Sequence, residues 1–381
     1  MRIGIDIRSL QNDSQNRGIG AYTRCLIKSL LSANGQNEYV FFAFKNKPLP
    51  EFLKEEIFRN VEILQVIPQV KYIRILSAHI IFPYIIAKER LDIFHSLENM
   101  VPVFSQTKKL ITVHDFIYND YKVYNKENGL YKNIYFYLRD KTLKYADKII
   151  AVSEYTKKKV MELMGIKKER IEVIYEAASE IFRPIDNSEL FLKVREKYHL
   201  KSDFILYVGA LLQHKNIDGL IRVFEQVSLK DVNLVIVGPK VKDNMRYLKS
   251  INTLMEQLRI KDRVYILGYI PQEDLLALYN MAKIFISLSF YEGFGLPVLE
   301  AMSCGKPVIA SQNTSMQELV GSNGILVDPY NIEEIIIAIE NLLSDEKLRI
   351  LLSKKGLQRS GEFSWDKTAR ETLSLYEDLL K

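Results

Sequence analysis

At 381 residues the chain exceeds what one hydrophobic core usually supports, so two domains are expected. Its composition, 48% hydrophobic and 26% charged, is that of an ordinary soluble globular protein. The net charge of +6 is mild and comes with no zinc-finger or RNA-module signature, so nucleic acid is not an expected partner. No stretch approaches about eighteen uninterrupted apolar residues, which argues against a membrane-spanning helix. The first residues, MRIGIDIRSL, read as a strand and lack the apolar segment of a secretion signal. Cys25 and Cys304 have neither disulfide-framework nor metal-ligand spacing and are expected to be reduced thiols in a cytoplasmic protein.

In chain order, Arg2 to Ile7 is a strand with Ile3, Ile5 and Ile7 on one side. A polar stretch, Gln11 to Arg17, leads into Gly18-Ile19-Gly20 and an amphipathic helix from Ala21 to Leu31. Strand, glycine turn and helix open a dinucleotide-type αβ unit, although Thr23 stands at the third glycine position of G-x-G-x-x-G. A plain tight loop before a helix is the alternative. Further strands follow at Tyr39 to Phe44 and Val61 to Val66. Lys71 to Arg90 is apolar with cationic ends. It reads first as a core helix interrupted at Pro83, and second as a helix lying on a membrane surface.

Leu91 to Ser96 and Lys109 to Asp115 are the next strands, and His114 sits at the carboxyl end of the second. Ligands of open α/β sheets gather at those ends, which makes His114 a site candidate, while His95 is read as structural. The tyrosine-rich tract from Phe116 to Tyr137 suits either sugar handling or packing. Strand Lys148 to Ser153 runs into a basic helix that Ser153 would cap, and Ile171 to Tyr175 is the last strand of this half. The basic runs Lys108-Lys109, Lys157-Lys158-Lys159 and Lys167-Lys168 read as solvated faces.

Glu176 to Lys201 shows no strong period and reads as the crossover between domains. The strand pattern restarts at Phe204 to Gly209 and recurs at Leu234 to Gly238, Val264 to Leu267, Ile284 to Leu288, Val308 to Ser311 and Ile325 to Val327. Strands alternating with helices imply an α/β fold of two Rossmann-like, doubly wound domains with a cleft between them. The expected boundaries are 1–180, joined by a C-terminal helix over 366–381, and 181–365.

The densest signal is Ile284 to Ala310: a buried strand, a loop carrying Glu292, Gly293, Phe294, Gly295 and Leu296, and a helix from Pro297 that carries Glu300. The two glycines let the backbone take positive φ and approach a ligand closely. A helix start behind such a loop offers N–H donors and a positive dipole end to a phosphate.

Gly18-Ile19-Gly20, His114-Asp115, V-G-x(5)-K-N over Val208 to Asn216, L-G-Y-I over Leu267 to Ile270, and E-G-F-G-L-P-x-L-E over Glu292 to Glu300 resemble retaining glycosyltransferases of family 4, which have the GT-B fold. The subgroup it looks like is that of bacterial mannosyltransferases of polysaccharide biosynthesis. The resemblance implies hexosyl transfer from a nucleotide-diphosphate sugar, GDP-mannose in the first instance, to a glycan or lipid-linked acceptor at the cell envelope. Lys215 would meet the diphosphate, Glu292 the donor-sugar hydroxyls, Glu300 the ribose, and His114 the sugar at the reacting centre. Gly18, Gly20, Gly209, Tyr269, Gly293, Phe294, Gly295 and Leu296 would line the donor site. No metal or cofactor is implied. Peripheral contact with the inner face of the membrane is a further expectation.

Two departures from the family pattern stand out. Ala210 occupies a position often held by arginine, with His214, Arg24, Lys240 or Lys283 as candidate replacements. Tyr175-Glu176-Ala177-Ala178 replaces the usual N-G-x-D. Alternatives to GDP-mannose transfer are a UDP-sugar-dependent enzyme, an epimerase or phosphorylase of the same fold, and an inactive nucleotide-binding or scaffold subunit.

Overall fold

The computed structural model describes the chain apart from residues 13–14, 16–17, 34–35, 56–59, 68–81, 98–101, 104, 117–140, 230 and 240–244. The tyrosine-rich tract beyond Phe116, most of the 71–90 stretch and Lys240 therefore lie outside the described residues. The chain divides into two compact units, one of Met1–Glu176 with Trp365–Lys381 and one of Ala177–Ser364. Among the described residues no helix is long and apolar enough to cross a membrane.

The first unit is built on a seven-stranded sheet of β1 (Arg2–Asp6), β2 (Glu38–Phe44), β3 (Val61–Ile67), β4 (Ile93–Ser96), β5 (Lys108–Val113), β6 (Lys148–Ala151) and β7 (Ile171–Val173), in the order β3-β2-β1-β4-β5-β6-β7. Every pairing is parallel. Parallel strands covered on both faces need continuous apolar runs, and Tyr39 to Phe44 is buried without a break. The glycines sit differently from expectation. The helix spans Gly18–Ala33, so Gly18 and Gly20 form its first turn rather than a loop ahead of it, and a 3-10 turn over Arg8–Gln11 fills part of the polar stretch. The expected helix around Pro83 is described only from Phe82 onward. Among the described residues Pro83 lies in the helix Phe82–Lys88. Ser153 caps the helix Glu154–Met164 by accepting from Thr156 N.

The second unit carries six parallel strands, β8 (Phe204–Val208), β9 (Asn233–Val237), β10 (Val264–Leu267), β11 (Ile284–Ser287), β12 (Val308–Ser311) and β13 (Ile325–Val327), in the order β10-β9-β8-β11-β12-β13. Both sheets thus reverse direction of winding once, the second between β8 and β11. The stretch read as an irregular crossover contains a helix, Ser188–Lys197, started by Asn187 accepting from Leu190 N. Only Val194 on that helix is buried, which is why its periodicity is faint in the sequence. The helix Trp365–Leu380 returns to the first unit: Trp365 packs edge-on against Tyr22 at 5.6 Å, and Thr368 Oγ1 donates to Tyr175 O at 2.7 Å.

Candidate active site

In doubly wound sheets, the crevice for ligands opens at the carboxyl ends of the two strands flanking the winding reversal. In the second unit those strands are β8 and β11, and the loops leaving them carry Lys215 and Glu292. Although 77 residues apart in sequence, Lys215 Nζ donates to Glu292 Oε1 at 2.5 Å. The side chains retain 16% and 14% of their exposure, so the pair is largely dehydrated yet reachable. Ser289 Oγ donates to the same Glu292 oxygen at 2.9 Å.

The Glu292 loop is clamped from the β12 side. Ser311 Oγ donates to Ser289 O at 2.7 Å, Asn313 Nδ2 to Phe290 O at 3.1 Å, and Ser315 Oγ to Glu292 O and Phe294 O at 3.1 and 3.0 Å. These bonds satisfy carbonyls that a tight loop leaves without a ladder partner. Of the two glycines expected at positive φ, only Gly295 adopts it, at 108°. There it caps the helix Leu296–Ser303, and an added Cβ would lie 2.1 Å from Met316 Cε. Phe294 and Leu296 are buried beneath the loop. Gly209 follows β8 with its N–H on Val237 O at 2.9 Å. The neighbouring Gly238 is required, because a Cβ there would lie 1.9 Å from Gly209 O.

None of the described candidates replaces the missing arginine in this unit. His214 is buried next to Lys215, and desolvation together with that neighbouring charge pushes its pKa down to about 2, so it is neutral. Lys283 precedes β11 and pairs with Asp203 at 3.1 Å, at the amino edge of the sheet. Arg24 belongs to the first unit, where it donates to Gln15 O. Lys215 thus carries the positive charge at the β8 and β11 loops.

Glu300 lies in the second turn of the helix behind the Glu292 loop. Burial lifts its carboxyl to about 7, against the opposing pull of Tyr279, whose hydroxyl donates to Glu300 Oε2 at 2.7 Å. Cys304 is buried, and desolvation followed by the nearby Glu300 charge raises its thiol to about 12, so it is packing rather than nucleophile. Tyr269, just past β10, is 63% exposed. Phe290 stacks on the exposed Tyr330 with centroids 4.7 Å apart and planes 15° from parallel.

In the first unit, His114 follows β5 and is 6% exposed. Its Nδ1 lies 2.9 Å from Glu176 Oε1, and the Tyr22 ring meets it edge-on at 4.7 Å. His95 on β4 occupies both its ring nitrogens, Nδ1 with Tyr376 Oη at 2.7 Å and Nε2 with Thr112 Oγ1 at 2.8 Å. Desolvation, then the neighbouring His114, pushes the His95 pKa down to about 3, so His95 is a neutral fastener. Gly18 opens the first helix with open space around its Cα, while Gly20 is buried.

Residues 191–359 match the family model "Glycosyl transferases group 1", and residues 16–178 match "Glycosyltransferase Family 4". The chain belongs to these glycosyltransferases. This glycosyltransferase is 33% identical over 241 residues to the O-antigen chain mannosyltransferase B of Escherichia coli, covering 62% of each chain. A 412-residue alignment with the serotype-specific mannosyltransferase WbdA of Escherichia coli is 27% identical and covers 100% of this chain but 48% of that protein. The matches thus span less than two thirds of these relatives' own length. Among solved structures, HepE of Anabaena in complex with UDP and glucose has a TM-score of 0.78 at 18% identity, covering 99% of this chain and 100% of that one. The sucrose-phosphate synthase of Thermosynechococcus elongatus has a TM-score of 0.77 at 22% identity, covering 100% and 99%. These structural likenesses establish the GT-B fold.

Sequence reasoning missed several residues around the candidate positions of each unit. Glu176, Tyr279, Ser289, Ser311, Asn313 and Ser315 all bond to candidate residues or to the loop that carries them. The alternating polar positions Ser311, Asn313 and Ser315 after a strand were a readable signal. The pairing of Glu176 with His114 across 62 residues was not.

Proposed function

We propose that the protein is a retaining hexosyltransferase that moves mannose from GDP-mannose to a glycan or lipid-linked acceptor in cell-envelope polysaccharide synthesis. The observation that carries this reading is the Lys215–Glu292 pair at the winding reversal, beside the start of the Leu296–Ser303 helix. A cation and helix N–H groups there suit the negative charge that develops on a departing diphosphate. Glu292 and Glu300 are acceptor-only when ionised and suit the paired hydroxyls of a hexose and a ribose. The mannose donor is favoured by the mannosyltransferase relatives.

In the proposed step the bond from the anomeric carbon to the diphosphate oxygen breaks, leaving the electron pair on that oxygen. The acceptor hydroxyl forms the new glycosidic bond on the same face, and its proton passes to the departing phosphate. Lys215 and the helix start neutralise the leaving group without a metal ion. His114 Nε2 accepts a hydrogen bond from a sugar hydroxyl, and Gly18 and Gly20 allow close backbone approach. We place the protein in the cytoplasm, peripheral on the inner face of the membrane, which liposome flotation tests.

The deciding experiment is a thermal-shift panel of GDP, UDP, ADP and dTDP, followed by product analysis. A nucleotide at 100 times its Kd stabilises the folded state by about 2.7 kcal/mol. Stabilisation by GDP, chelator-resistant GDP release from GDP-mannose, and an unchanged anomeric configuration by NMR are expected. A shift with UDP alone replaces the donor, an inverted product overturns the mechanism, and no shift with any nucleotide overturns the function.

A further inference from the structure

We infer that Glu176 is a positioning residue that fixes the ring tautomer of His114, an inference resting on the proposed role of His114 at a sugar hydroxyl. The two side chains are buried to 8% and 5% exposure, with Nδ1 of the ring 2.9 Å from the carboxylate. An ionised carboxylate can only accept, so the nitrogen facing it carries the hydrogen. What the other nitrogen of an imidazole can do is set by that bond. Nε2 is left with its lone pair and becomes an acceptor.

The other end of the ring supports this. Nε2 of His114 is buried and has no hydrogen-bond partner among the described residues. The neighbouring groups are committed elsewhere. Tyr22 Oη is 3.3 Å from Thr112 Oγ1, and Thr112 Oγ1 is also engaged by His95. An unpaired buried nitrogen costs about 1–3 kcal/mol and calls for an explanation. A ligand hydroxyl donating to Nε2 supplies one. The edge of the Tyr22 ring, 84° from the imidazole plane, holds the ring in the orientation that keeps Nδ1 on Glu176. The Glu176 backbone is steadied in turn at the preceding residue, where Thr368 Oγ1 donates to the Tyr175 carbonyl. Where the family pattern has an N-G-x-D turn, this chain therefore places a carboxylate that serves the histidine.

The test uses the full chain labelled at its five histidines, with long-range proton–nitrogen NMR to read the His114 tautomer. The wild type is compared with Glu176→Gln and Glu176→Leu, and His114→Ala assigns the signal. In parallel, hydrolysis of GDP-mannose and UDP-glucose, with water taking the place of the acceptor hydroxyl, is followed by release of GDP and UDP. The wild type is expected to show hydrogen on Nδ1, and Glu176→Gln, which keeps a carbonyl acceptor, is expected to retain it. Glu176→Leu is expected to move hydrogen to Nε2 and to lower kcat by about 10–100-fold, the range seen for groups that orient a metal-bound imidazole, with KM changed little. A wild-type ring carrying its hydrogen on Nε2 overturns the inference even if Glu176→Leu fails to fold. An unaltered tautomer and kcat in folded Glu176→Leu overturn it as well. The tautomer is read without nucleotide-sugar, so failure of the proposed function, seen as no thermal shift with any nucleotide, is distinguished from failure of this inference.

Discussion

Replacing Glu300 by glutamine is expected to make the protein more stable and a poorer nucleotide binder, with the first effect confined to one pH range. Burial raises the Glu300 carboxyl from 4.5 to about 7. Between those values the folded state holds a proton that the unfolded chain has released, so stability falls as pH rises through the window and is lowest above 7. At about 1.36 kcal/mol per tenfold change in proton affinity, the rise corresponds to about 3 kcal/mol. The side chain keeps some contact with solvent, and Tyr279 loses a charged acceptor on substitution. Both reduce the gain, which is placed at about 1–3 kcal/mol at pH 8, on the scale of one hydrogen bond to a charged group. Urea melts of wild type and Glu300→Gln at pH 5 and pH 8 measure it, together with GDP titrations at pH 8. Little stability difference is expected at pH 5. Loss of one charge-assisted bond to a ribose hydroxyl should weaken GDP by about tenfold or more. Equal stability differences at the two pH values would refute the assignment of the raised carboxyl to Glu300. Unchanged GDP affinity would refute its role on the ribose.

Other residues give independent tests. Lys215→Met should lower kcat/KM by about 100-fold or more, and Lys215→Arg should not restore it, because a planar fork cannot reproduce a point ammonium; steady-state GDP release checks both. Gly295→Ala, with φ of 108° and Met316 in the way, should destabilise by about 1–3 kcal/mol, read as a lower Tm, and a wild-type melt would remove the strain argument. His95 and His214 are held neutral with pKa near 3 and 2. The unfolded chain takes up protons that they refuse, so stability should drop as pH falls below about 6.5. In thermal melts from pH 7 to pH 4, His95→Gln should flatten part of that dependence.

Much of this was legible in the chain, and the reason is local. Strands such as Ile284–Ser287 and Asn233–Val237 are buried throughout, so apart from Ser287 and Asn233 they print as apolar runs that need no partner to be recognised. The glycine loop, Pro297 and Glu300 were readable because helix starts and close approaches have fixed residue requirements. Pairings across the sheet were not readable. Nothing near Glu176 in the sequence says that it meets His114, and nothing near Glu300 says that it is buried and bonded by Tyr279. The start of the first helix was misplaced because Gly18 and Gly20 read as breakers, although glycine is tolerated in a first turn, where backbone N–H groups have no helical partner.

The first unit is discontinuous, and that sets an order of assembly during synthesis. Residues 177–364 form a contiguous unit that can close as soon as it has left the ribosome. The seven-stranded sheet emerges earlier but lacks the helix that pins His95 through Tyr376 and covers Tyr22 with Trp365. The sheet made earlier is therefore completed only by residues that follow the second unit, and without them His95 has a ring nitrogen without its Tyr376 partner. Cotranslational folding commonly runs from the amino end. Here the amino-terminal unit waits for residues encoded after the whole of the other.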